Sequence, residues 1–184
     1  MRGLLDLCWG WQRVGVRGRR AAGQAAAADA LAQLESGLTL GYEGSRPIVL
    51  GGHALAISIS HSRELAVAVV GHVARLGIDL CEYDRGAQIR AIAPRFLTAA
   101  ECELIAVDRD APALWAALWA AKEAGLKALG RGLEALFDVP GLHTPRLPAI
   151  EIRSLAPPAY IAATALALHV ELRDQLALAV AYAS

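Results

Sequence analysis

Asp79 ends an apolar run, LGIDL, where an ionised carboxylate is tolerated only if a cation or hydrogen-bond donors meet it. Taken alone it is an aspartate that starts a turn, a common use of the residue. Further along, WAAKEAGLKALG from Trp119 to Gly130 sets Glu123 and Lys127 four residues apart, on one helical face with Trp119. By itself that spacing describes a solvated ion pair. Composition argues otherwise: the chain has 16 arginines and two lysines, Lys122 and Lys127, both in this window. A compact ammonium suits a phosphate oxygen or a proton transfer in ways a planar guanidinium does not. SISHS, Ser58 to Ser62, puts His61 just past a strand end between hydroxyls that can donate to an anion, and Arg46 in GSRP adds a cation at a loop. In isolation each of these is ordinary turn chemistry.

These residues need a frame. With 184 residues and 55% hydrophobic side chains the chain can bury a core, as one domain or two small fused halves. Lys+Arg and Asp+Glu both number 18, so there is no global field to gather nucleic acid or an anionic membrane. Any bound anion must meet a local site. Cys8, Cys81 and Cys102 are odd in number and widely spaced, which fits free thiols in a reducing compartment and points to the cytoplasm. Asp6 interrupts the N-terminal apolar run with no small-residue cleavage site after it, so no leader is read there. The uncharged run Ser154 to His169 is too short to span a bilayer and carries Pro157 and Pro158.

Alanine-rich Arg20 to Leu34 predicts a helix by intrinsic propensity, closed by Gly37. Gly41 to Pro47 reads as a loop leading into strands at Ile48 to Leu50, Leu55 to Ser60 and Leu65 to Val70. Gly71 and His72 make a turn before a strand from Val73 to Leu80. Ala111 to Leu129 is the strongest helix, with Gly130 at its C-cap. Ile150 to Ile152, Thr164 to Val170 and Leu176 to Tyr182 complete the strands, the last two joined near Arg173 and Asp174. RELAVAVV at Arg63 to Val70 faintly echoes RDQLALAVA at Arg173 to Ala181, a weak hint of duplicated halves meeting near Gly71.

Five elements follow in order: SRP, SISHS, LGID, RFLTAAE at Arg95 to Glu101, and WAAKEAGLKALGRGL at Trp119 to Leu133. Together they resemble the 4′-phosphopantetheinyl transferase superfamily, over about Gly44 to Leu133, and LGID in mid-chain after SHS resembles its Sfp-type branch. The resemblance implies an α+β fold of two pseudo-symmetric halves, each with a small antiparallel sheet and a long helix. The expected division is an abbreviated N-terminal half, residues 1–71, and a C-terminal half, 72–184, forming one pseudo-dimeric monomer. It implies transfer of the phosphopantetheine arm of coenzyme A to a serine of an apo acyl or peptidyl carrier protein, with Mg²⁺, releasing 3′,5′-ADP. By residue matching, Asp79 and Glu123 hold the metal, Lys127 touches the reacting phosphate, and Arg46 and His61 hold the nucleotide's 3′-phosphate. Ser60 and Lys122 are further coenzyme A candidates, and Glu123 is a candidate base for the serine. Ala99 to Leu104 is a carrier-contact region by the same resemblance.

One position departs from the pattern. Many Sfp-type members have an acid two residues after the LGID aspartate, and this chain has Cys81. A thiol is a poor ligand for hard Mg²⁺, and strand alternation turns Glu82 away, so a water is expected in that position. Two alternatives remain open: a family member that binds coenzyme A or carrier protein without transfer, and a small metal-dependent phosphohydrolase using the same two carboxylates. The second leaves SISHS and Arg46 unexplained.

Overall fold

A computed structural model describes residues 7–52, 54–98, 101, 103, 111–136, 151–152, 159–162 and 166–183. The leader reading at Asp6, Cys102, most of the Ala99–Leu104 stretch and half of the Ser154–His169 stretch lie outside the described residues. The first unit consists of β1 (Cys8–Arg13), α1 (Gly18–Leu31), a hairpin of β2 (Thr39–Glu43) and β3 (Arg46–Leu50), then β4 (Ala56–His61) and β5 (Leu65–Gly71). The second contains β6 (Arg75–Glu82), α2 (Gly86–Ile92), α3 (Pro112–Ala128), β7 (Glu151–Ile152), β8 (Ala159–Ala162), β9 (Ala167–Arg173) and β10 (Leu176–Ala183). One antiparallel sheet runs β1-β5-β4 and another β6-β10-β9-β8-β7. This is the mixed α+β architecture, with small antiparallel sheets and long helices, that the sequence resemblance implies.

Period-two alternation assigns the faces. On β6, Leu76, Ile78 and Leu80 join Val67, Val69, Leu178 and Val180 in an apolar layer between the two sheets. The opposite face of β6 meets α3: a Cβ at Gly77 would lie 1.9 Å from the Ala124 carbonyl oxygen. The first unit repeats this contact, since a Cβ at Gly10 would lie 1.8 Å from the Ala26 carbonyl oxygen of α1. Both helices owe their close approach to alanine, at Ala26, Ala27 and Ala30 on α1 and Ala120, Ala124 and Ala128 on α3. The echoed segments fall on β5 and β10, each hydrogen-bonded to the glycine-bearing strand beside it.

One expectation changes. The predicted loop at Gly41 to Pro47 is a hairpin whose strands run to within two residues of each other, because Gly44 takes φ +61° and closes the turn tightly. Gly130 ends α3 as expected, at φ +65°, with Arg131 N–H donating back to Leu126 O at 2.9 Å. No helix among the described residues is long and apolar enough to cross a membrane.

Candidate active site

β4 and β6 are edge strands of different sheets, and serine hydroxyls join them. Ile78 N–H donates to Ser58 Oγ at 3.0 Å, and Leu80 N–H donates to Ser60 Oγ at 3.2 Å. Asp79 lies between these two tethered amides with its side chain 7% exposed. Its Oδ1 accepts hydrogen bonds from Ser60 Oγ at 2.8 Å and Lys127 Nζ at 2.6 Å, and Lys127 also donates to Ile78 O at 3.0 Å. Two residues 48 apart in sequence thus form a charge-assisted bond at the seam.

Asp79, Glu123 and Lys127 line one cleft of about 720 Å³ with Ser60 and His61. Arg19 of α1, Arg63 and Arg85 also line it. The sequence reading passed over these arginines because nothing in their spacing distinguishes them from the chain's many others; only folding selects them. Glu123 is pushed up to about 7, first by burial and then by the Asp79 charge, against the lowering pull of Lys127, of the Trp119 indole N–H one turn back, and of Arg85. Trp119 Nε1 is buried and otherwise has no hydrogen-bond partner among the described residues.

The remaining predicted residues disperse. Arg46 lines an adjoining cavity of about 310 Å³ with Arg131, joined to the cleft through Ile59 and Lys127, so it and His61 face different cavities. Lys122 is a correction: it is buried away from the cleft, in an ion pair with Glu101 Oε2 at 2.7 Å and a hydrogen bond to Phe96 O at 3.1 Å. Helical periodicity could have shown this, since adjacent residues point about 100° apart and Lys122 cannot share the face of Glu123. Cys81 does not line the cleft. It is fully buried in the core cluster that includes Ile89 and Ala121, with its thiol pushed up to about 12 chiefly by burial. Glu82, turned away from Asp79, accepts the Arg63 backbone N–H at 2.7 Å.

The donor set fits a hard divalent cation. Four carboxylates line the cleft, of which Glu82 and Asp84 pair with Arg63; the other two are Asp79 and Glu123, and the Asp79 charge, after burial, raises Glu123, a repulsion that a bound dication would relieve. Among the described residues no three His, Cys, Asp or Glu side chains gather as a protein-only cage. One or two carboxylates, with the remaining positions left to water and substrate phosphate, is how magnesium is usually held.

Comparison with known proteins agrees with this geometry. The 4′-phosphopantetheinyl transferase HetI of Nostoc sp. is 34% identical over 115 residues, covering 59% of this chain and 48% of that protein. The chain therefore spans about half the length of the curated relative it matches. Residues 75–181, which include Asp79, Glu123 and Lys127, match the 4′-phosphopantetheinyl transferase superfamily model, and the chain belongs to that superfamily.

Proposed function

We propose that this chain moves the 4′-phosphopantetheine arm of coenzyme A onto a serine of an apo carrier protein, with Mg²⁺, acting as a monomer in the cytoplasm. One observation carries the reading: Asp79, Glu123 and Lys127, distant in sequence, line a single polar cleft where two sheets meet. Asp79 and Glu123 would hold the magnesium ion, which when bound supplies charge neutralisation at the substrate pyrophosphate. Lys127 presents its ammonium to the reacting phosphate. Arg19 and Arg63 give the cleft cations, and His61 a ring nitrogen, for the rest of the pyrophosphate and nucleotide, and Arg46 with Arg131 extends that surface into the adjoining cavity.

In the transfer, the carrier serine oxygen bonds to the phosphorus that bears pantetheine. The bond from that phosphorus to the bridging oxygen breaks, and 3′,5′-ADP leaves. The serine proton passes to Glu123, directly or through water. The carrier belongs to a fatty-acid, polyketide or nonribosomal peptide system, all of which present the same serine.

The test is to incubate the protein with coenzyme A, Mg²⁺ and a panel of apo carrier proteins, then weigh the carriers intact. A phosphopantetheinyl mass gain supports transfer. Nucleotide release without carrier modification selects hydrolysis instead, and coenzyme A binding with neither product selects a binding protein.

A further inference from the structure

Ser60 is 6% exposed and its hydroxyl is already engaged as both donor and acceptor, to Asp79 Oδ1 and from Leu80 N–H. A serine hydroxyl has one hydrogen to give. While that hydrogen lies on Asp79, the Ser60 hydroxyl cannot also donate to a phosphate. Ser58, two residues back on the same face of β4, accepts Ile78 N–H in the same way but bonds to neither carboxylate. The two serines are thus a matched pair at the seam, and one of them has an added bond to Asp79. Oδ1 of Asp79 takes both Ser60 and Lys127, while Oδ2 accepts no hydrogen bond from the described residues.

We propose that Ser60 is a positioning residue for Asp79: its hydroxyl fixes Oδ1 and the plane of the carboxylate, leaving Oδ2 to a divalent cation. This rests on the reading of Asp79 as a metal ligand. A donor fastened to a ligating carboxylate orients it, and loss of such outer-sphere partners typically weakens metal binding about 10- to 100-fold.

The test measures Mn²⁺ binding by loss of the free-ion electron paramagnetic resonance signal, with 3′,5′-ADP present and no carrier, alongside transfer kinetics. Ser60→Ala is expected to weaken Mn²⁺ binding about tenfold and to raise the Mg²⁺ concentration for half-maximal transfer by a similar factor, while the KM for coenzyme A stays within about twofold. Ser60→Thr, which keeps the hydroxyl, restores both. Ser58→Ala removes the matched seam acceptor and leaves Mn²⁺ binding unchanged. If Ser60→Ala raises the KM for coenzyme A with Mn²⁺ binding intact, Ser60 is a substrate contact and the proposal is overturned. It is equally overturned if Ser58→Ala weakens Mn²⁺ binding as much as Ser60→Ala, or if the wild type binds no Mn²⁺. Should Ser60→Ala fail to fold, Ser60→Cys, near in volume and a weak donor, is read in its place. Absence of transfer by a wild type that binds Mn²⁺ would overturn the proposed function and leave this comparison standing.

Discussion

Aligned on their glycine-on-helix contacts, the two units place different side chains at the same offsets. Two residues after Gly77 is Asp79, and three after Ala124 is Lys127, bonded at 2.6 Å. Two residues after Gly10 is Gln12, and three after Ala26 is Asp29, where Gln12 Nε2 donates to Asp29 Oδ2, also at 2.6 Å. The polar strand-to-helix bond recurs in both units. What differs is the residue before the contact alanine, Glu123 on α3 and exposed Ala25 on α1. A shared frame of glycine and alanine therefore holds one site with two carboxylates and one with a single acid in the open, and only the first has an acid pair able to share an ion.

The strongest test of this contrast is Glu123→Gln, which removes a ligand charge with little change in volume. It is expected to lower transfer on the order of a thousandfold, read by intact-mass kinetics, with circular dichroism unchanged. Ala25→Glu in the other unit is expected to leave activity as it was. Next in size is Lys122→Met, which takes the ammonium from the fully buried Glu101 carboxylate. Losing one partner of such a pair costs about 3–5 kcal/mol, measured as a fall in the urea midpoint, and replacing Glu101 with an apolar residue as well should recover much of it.

Gly77→Ala and Gly10→Ala should each cost about 3 kcal/mol, because the new methyl meets backbone atoms that cannot move aside. Equal losses would confirm that the two contacts do the same work. A smaller effect comes from pH. Glu123 in the folded chain stands near 7 against an ordinary 4.5, so its contribution to stability is full below about 4.5 and is lost as pH rises through 7. Metal-free protein is expected to be less stable at pH 8 than at pH 5 by on the order of 2 kcal/mol, a difference that Glu123→Gln flattens. The smallest is Gln12→Ala, which breaks the exposed counterpart bond and should shift stability by no more than about 0.5 kcal/mol.

Much of this was readable from the chain because the determinants are local. Alternation at Ile57 and Ile59 and along Leu76, Ile78 and Leu80 gave β4 and β6 to within two residues, and the i, i+4 spacing of Glu123 and Lys127 gave their common face. The echoed segments both form strands, β5 and β10, although low-complexity apolar text weakens the echo as a signal. The parts that stayed hidden depend on long-range contact. Nothing near Ser60 announces that its hydroxyl will meet residue 79, and β1, at Cys8 to Arg13, is a strand chiefly because β5 and α1 receive it. Lys122 was misplaced for another reason: its rarity as a lysine was given more weight than its angle on the helix.

Gly77 has one more consequence. At the point where Gly77 of β6 meets the Ala124 backbone of α3, no rotamer stands between the main chain that carries Asp79 and the one that carries Glu123. The span between the two is set there like a gauge block, by two stiff surfaces in contact. That spacing is built into the main chain, and the reach of the two acid side chains is what stays adjustable.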